Sequence, residues 1–208
     1  MARYTEAVCK HCRREMEKLF LKGERCLTDK CGVERRAYPP GQHGRKRPRE
    51  SEYLIQLRAK QKAKRTYGVL EKQFKNYYKI AAKRKGITGE MLLQLLERRL
   101  DNVVYRLGFA ASRKEARQLV RHGHFAVNDR RTDIPSFRVK ADNVISLTEA
   151  GNNVAKIKEN TESVSKTQLP DWLEVDYEKM SGRVISIPER DQIDTTIQEQ
   201  LIVELYSK

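Results

Sequence analysis

RRLDNVVYRLGFAASRKEARQLVRHGHFAVN, residues 98–128, is the stretch on which the fold turns. Leu100, Val103, Val104 and Leu107 recur at helical spacing, and Gly108 follows the last of them, so a short amphipathic helix is expected to end there. A second helix opens at once. Ser112 and Glu115 form the S-x-x-E pattern, in which hydroxyl and carboxylate each satisfy an otherwise unpaired N–H, and Gly123 stands where a left-handed residue closes a helix. Ala116, Leu119 and Val120 give this helix an apolar face; Arg113, Lys114, Arg117, Gln118 and Arg121 give it a cationic one that runs on to His122. His124 to Val127 alternates as a strand, Asn128-Asp129 suits a tight turn with positive φ, and Arg130-Arg131-Thr132 starts a partner strand. A solvated helix face is ordinarily charged too, but here the acids are too few to balance the bases.

The balance of the whole chain points the same way. Its 208 residues carry a formal charge of +15, and with 38% hydrophobic and 34% charged residues the core should be thin beneath a highly charged surface. Residues 1–100 hold 27 Lys+Arg against 11 Asp+Glu, whereas residues 151–208 hold 7 against 11. A polyanion is therefore the expected partner of everything but the tail, through phosphate neutralisation and counterion release. No run of about 18 apolar residues offers a membrane span. The opening MARYTEAV does not read as an export signal, so the expected location is the cytoplasm, where structural disulfides are disfavoured.

All four cysteines fall in the first 31 residues, as C-x2-C-x13-C-x4-C: Cys9, Cys12, Cys26 and Cys31. Two close pairs of soft donors separated by a loop let a short segment enclose tetrahedral zinc without a large core, and four protein ligands would make the metal structural. Free thiols and a disulfide pair are the alternatives. His11 and His43 are possible substitute ligands that do not improve on the four thiols. Tyr38-Pro-Pro-Gly-Gln-His-Gly44 cannot be helical and leads into the basic run Arg45, Lys46, Arg47, Arg49. Its Gly-x-x-Gly could clamp a sugar-phosphate backbone or serve as a plain linker. No Walker lysine motif is present.

Residues 51–85 read as two helices joined at Tyr67-Gly68. Lysines and arginines, among them Lys62, Lys83, Arg84 and Lys85, surround aromatics whose spacing suits a core better than base stacking. A third helix is expected after an N-cap at Thr88. Beyond the hairpin come a strand at 144–147, a polar helix at 152–162, strands at 169–177 and 183–187, and a closing helix from Ile193.

RLDNVVYRLGFA, SRKEARQLVRHGH, VN and IPSFRVK resemble the small RNA-binding module named after the small-subunit ribosomal protein "S-four". Asp129, where that family commonly has Gly, and Ala141-Asp142-Asn143, where it has Pro-Gly-Asp, depart from the pattern in turns only. With MARYT, the spaced cysteines, YPPGQHG, SEY, LRAKQKAKRTYGVLEKQF and EQLIVELYSK, the resemblance extends over the chain to bacterial small-subunit ribosomal proteins of the same family. Some members lack the cysteines; all four are kept here. The resemblance implies an α+β protein. Residues 1–48 would be a zinc-binding and extended basic segment, 49–96 with about 193–208 a helical domain, and 97–192 an inserted RNA-binding domain with the module at 98–147 and a small antiparallel sheet.

It also implies the function: a structural constituent of the small ribosomal subunit that binds small-subunit ribosomal RNA at a five-prime-domain helix junction, nucleates assembly and contributes to translational accuracy. Neighbouring small-subunit proteins would be partners and messenger RNA a further contact, with no small-molecule substrate. The candidate RNA-binding residues are Arg98, Arg99, Arg106, Arg113, Lys114, Arg117, Arg121, His122 and His124 in the module, with Arg45, Lys46, Arg47, Arg49, Lys62, Lys83, Arg84 and Lys85 before it. Arg113→Ala and Arg117→Ala are expected to weaken RNA binding and spare the fold. The module is also appended to RNA-modifying enzymes and synthetases, but His11, His43, His122 and His124 lack an evident nucleophile and carboxylate, and Asp101 reads as an arginine's salt-bridge partner. A zinc-dependent DNA-binding regulator is the other rival; the acidic helix after the first Cys pair suits it poorly.

Overall fold

Cys9 and Cys12 stand three residues apart on α1 (Cys9–Glu15), and therefore on one face of it. This helix begins a structure, a computed structural model, that describes residues 4–46, 49–164, 169–193 and 196–207. Met16 closes α1 in the left-handed region, at φ 57°. A 3-10 turn (Gly23–Cys26) ends on the third cysteine, and the fourth, Cys31, is the N-cap of α2 (Gly32–Arg35). Val8, Cys12, Leu19 and Leu21 make the small core of this segment, with Tyr4 and Val33 packed on it. Tyr38 to Lys46 runs in turns, and the fold there needs Gly44, because a Cβ would stand 2.0 Å from the Pro39 carbonyl oxygen.

Ser51 accepts the Leu54 N–H (3.3 Å) and so caps α3 (Glu52–Thr66), and Gly68 (φ 62°) turns the chain into α4 (Glu71–Ala82). Phe74 and Tyr77 are buried, as the spacing predicts, and so is Tyr67 at the joint, while Tyr53 is exposed. α5 (Thr88–Glu97) starts at the residue expected to cap it. The chain divides into two units: residues 1–92 with 195–208, and residues 93–194. The sequence reading set residues 1–48 apart; here they share the first unit with α3 and α4.

In the second unit, α6 (Leu100–Arg106) packs against α7 (Arg113–Arg121), and β1 (Phe125–Val127) follows. Asn128 (φ 49°) and Asp129 (φ 61°) make the left-handed hairpin turn to β2 (Arg130–Arg131). Then come β3 (Val144–Leu147), α8 (Glu149–Asn152), α9 (Ala155–Val164), β4 (Leu173–Asp176) and β5 (Ser181–Val184). All pairings are antiparallel, in the order β2-β1-β3-β5-β4. Leu100, Val103, Val104, Leu107, Phe109, Phe125, Ile145, Ile157, Trp172 and Val184 fill one core beneath the sheet.

The architecture is α+β, and several boundaries differ from those expected: β4 starts four residues later than expected, at Leu173, and β5 ends three residues sooner, at Val184. The polar helix at 152–162 is two pieces, because Thr148 accepts the Gly151 N–H and starts α8 early. β5 begins at Ser181, two residues sooner than expected, since Met180 (φ 48°) completes a tight turn. The closing helix, α10 (Glu199–Ser207), starts six residues later than expected, after a 3-10 turn (Arg190–Gln192) whose Glu189 and Gln192 form a capping box. α10 packs along α3 within the first unit.

Candidate nucleic-acid interface

The cations of the module separate into an inner and an outer set. Arg99, the N-cap of α6, is 0% exposed; its Nε and terminal nitrogen donate to the two Asp101 carboxylate oxygens at 3.0 and 2.8 Å. Arg117 reaches the same carboxylate from α7, at 2.9 and 2.8 Å. Beside this group Glu97, 1% exposed, accepts from Asn102 (2.7 Å) and twice from Arg106 (3.2 and 3.0 Å). Arg113 donates to Asn102 Oδ1 at 2.7 Å and lies over the Tyr105 ring at 4.5 Å. Arg98 donates to the Val139 carbonyl at 2.8 Å, and Phe137 O and Pro135 O accept the first two N–H groups of α6. Asp101 is thus the ion-pair partner the sequence suggested, of two arginines at once.

This geometry revises two expectations. Arg99 has no surface with which to touch RNA and is assigned to the fold. Arg113 and Arg117 satisfy buried Asn102 and Asp101, so their alanine variants would strand buried polar groups and would not leave the fold intact. The reason is tertiary: residues 135–139 close over the start of α6 and bury Arg99, and the packing of α7 on α6 brings Arg113 and Arg117 to Asn102 and Asp101.

The outer set is Lys114, Arg121 and His122, all exposed, with His124 half-buried behind them. His122 and His124 meet edge to face at 5.9 Å. Burial, then the neighbouring charges of His122 and Arg131, pushes His124 below the usual histidine range. Ser112 caps α7 by accepting the Glu115 N–H, while Glu115 reaches back one residue beyond the usual box, to Ala111 N–H at 2.8 Å. The sequence reading left out Arg130, Arg131, Arg138 and Lys140, all exposed. The signal was present in the RR of β2 and the FRVK that follows. The Arg131 guanidinium lies across Gly123, so close that a Cβ there would stand 2.3 Å from its Nε, which gathers Arg131 with His122 and His124 at the end of α7.

In the first unit Arg45, Lys46 and Arg49 are exposed, as are Lys83, Arg84 and Lys85 after α4. Arg47 lies outside the described residues. Lys62 is bound to Glu17 and donates to the Thr196 carbonyl at 3.0 Å, while Thr196 donates to Glu17 at 2.7 Å. Glu15, its side chain 3% exposed, takes Arg58 (3.3 Å) and Arg65; burial holds its carboxyl above the usual range in spite of both arginines. Arg13 donates to Tyr38 O (3.0 Å) and Arg14 to Pro40 O (3.1 Å), which ties the Tyr38–Lys46 loop to α1.

Cys9, Cys12, Cys26 and Cys31 line one small cavity with Lys22, Arg25 and Gly32, and none is in a disulfide. Burial pushes the Cys12 thiol up, and the three other thiols add to the shift. The Lys22 N–H points at Cys26 Sγ at 3.3 Å. As the side chains are placed, no group of three or more His, Cys, Asp or Glu among the described residues is arranged to hold a metal ion. The four thiols share one cavity, and four thiols are a donor set of the kind that tetrahedral zinc takes.

The first unit is helical and the second holds two packed helices with a small antiparallel sheet, and each carries exposed cations. Residues 3–97 match the family model described as Ribosomal protein S4/S9 N-terminal domain, and residues 98–145 match the S4 domain. The chain is 60% identical to the small ribosomal subunit protein uS4 of Acetivibrio thermocellus over the full length of both chains. It is 58% identical to that of Syntrophomonas wolfei and 60% identical to the protein uS4A of Alkaliphilus oremlandii, again over all of each chain. The chain belongs to the uS4 family of small ribosomal subunit proteins. Among the described residues, no helix is long and apolar enough to cross a membrane.

Proposed function

We propose that the protein is a structural constituent of the small ribosomal subunit, held in the ribosome by its contacts with small-subunit ribosomal RNA and neighbouring subunit proteins. The full-length identity to relatives named for that subunit carries this reading. The outer cations supply a mechanism: Arg121, His122, Arg131, Arg138 and Lys140 in the module, and Arg45, Lys46, Arg49, Lys83, Arg84 and Lys85 in the first unit, can take phosphates and fix orientation. RNA shape, more than a base code, would select the site. Within that role fall binding at a five-prime-domain junction, nucleation of assembly, an influence on accuracy and contact with messenger RNA. The test is selectivity: at moderate salt the five-prime domain should bind more tightly than an unrelated structured RNA of equal length, and equal affinities would reduce the binding to bulk charge.

The second part of the reading is a structural zinc held by Cys9, Cys12, Cys26 and Cys31. Its support is their shared cavity, which Lys22 and Arg25 also line, and the Lys22 N–H directed at Cys26 Sγ. Bound zinc would order the segment by tying α1 to the 3-10 turn and α2. Reduced protein should hold one zinc per chain, and a chelator should raise hydrogen exchange across residues 4–36; a metal-free protein with unchanged exchange would dismiss the site.

A further inference from the structure

The first unit contains an open cleft of about 1170 Å³ that none of the roles above requires. It is lined by Met16 at the end of α1, by Tyr38, Arg45 and Lys46, and by the apolar Leu54, Ile55 and Ala59 of α3 with Leu201 of α10. Two of these apolar side chains stand open to solvent: Met16 is 59% and Ile55 44% exposed. Met16 holds φ 57°, a conformation that costs a non-glycine residue about 1–2 kcal/mol. Glycine would make that turn more cheaply; what methionine adds is an apolar side chain on the cleft.

Charge decides what such a cleft can hold. Arg14, Arg45, Lys46, Arg58, Lys62 and Arg65 line it against three carboxylates, Glu15, Glu17 and Glu50, the first two of which are already bound to Arg58, Arg65 and Lys62. Arg45 and Lys46 are exposed, and the guanidinium groups of Arg13 (5.0 Å) and Arg45 (5.1 Å) both lie over the Tyr38 ring. A cleft lined by both apolar side chains and exposed cations matches an unpaired nucleotide, whose base needs a face to lie on while its phosphates need cations. An A-form duplex, with its bases stacked inside, has nothing to offer the apolar side chains.

We infer that this cleft receives a single-stranded segment of RNA, with one base against Met16 and Ile55 and the adjoining phosphates on Arg45 and Lys46. This rests on the RNA-binding reading and adds a second, chemically distinct contact to it. The test uses the full chain, an eight-nucleotide oligouridylate carrying one 4-thiouridine, and an RNA hairpin of equal charge. Ultraviolet crosslinks should map to residues 14–17, 37–46 or 54–59. Ile55→Ala should weaken oligouridylate binding about tenfold, because the base loses the apolar surface it covers, and Met16→Gly should do the same without lowering the melting temperature. Three results would overturn the inference: crosslinks confined to residues 93–194, variants that bind the oligonucleotide as tightly as the wild type, or a glutamate-rich amphipathic peptide that displaces it at lower concentration than free oligouridylate does. Selective binding of the five-prime domain with any of these would leave the wider reading standing, whereas loss of that selectivity would remove it.

Discussion

The two units differ in where their ion-pair networks lie, although Glu15 is buried under Arg58 and Arg65 in the first and Arg183–Asp142 lies exposed in the second. In the second, Glu97, Arg99, Asp101 and Asn102 are buried with nearly every polar atom met, so charge acts there as part of the core. In the first, the pairs lie on seams where separate parts of one unit join. Lys62, Glu17 and Thr196 tie the N-terminal segment to α3 and to the returning C-terminal segment; Lys60, Lys64 and Tyr206 meet on Glu71, joining α3, α4 and α10. Glu71 keeps a side chain 46% exposed, so water and salt screen it. A buried network fixes one geometry and fails when a member is lost; a seam of half-exposed pairs contributes less and responds to conditions.

Asp101→Ala attacks the buried network at its centre. Arg99 would be left charged in the core with Arg117 beside it, and a loss of about 3–5 kcal/mol is expected in denaturant unfolding of the second unit. An unchanged midpoint would show that the network is passive filling. A smaller effect is expected at Glu71. Burial raises its pKa, but hydrogen bonds from Lys60, Lys64 and Tyr206 more than offset this and lower it from 4.5 to about 2. Because the folded value lies below the unfolded one, the stabilisation is complete above pH 4.5 and is lost as pH falls towards 2. Glu71→Gln should flatten the acid limb of the melting temperature over that window. An acid limb identical to the wild type would place the sensitivity elsewhere.

Much of this was legible in the sequence because it depends on near neighbours. The Ser112 cap, the positive φ at Asn128-Asp129, the apolar faces of α6 and α7 and the ion pairing of Asp101 all follow from spacings of a few residues. The division of the arginines was not legible. Arg113, Arg117 and Arg121 share one cationic stripe in the sequence, and only the packing of α7 on α6 turns the first two towards Asn102 and Asp101. The burial of Arg99 depends on residues 135–139 folding back over α6 from about forty positions away in the chain. Arg131 joined His122 and His124 through the β1–β2 hairpin, which placed it across Gly123. The cleft beside Met16 could not be seen at all, since α1, the Tyr38 loop, α3 and α10 each contribute a part.

Whether the cations divide into a binding set and a folding set is decided by a salt series of affinity for the five-prime domain, comparing wild type with the Arg121→Ala/Arg131→Ala double variant. The expected result is weaker binding at every salt, a plot of log affinity against log salt shallower by about one unit for each phosphate no longer neutralised, and an unfolding midpoint unchanged. An unchanged slope with a lowered midpoint would contradict it, and would move Arg121 and Arg131 into the same structural class as Arg99.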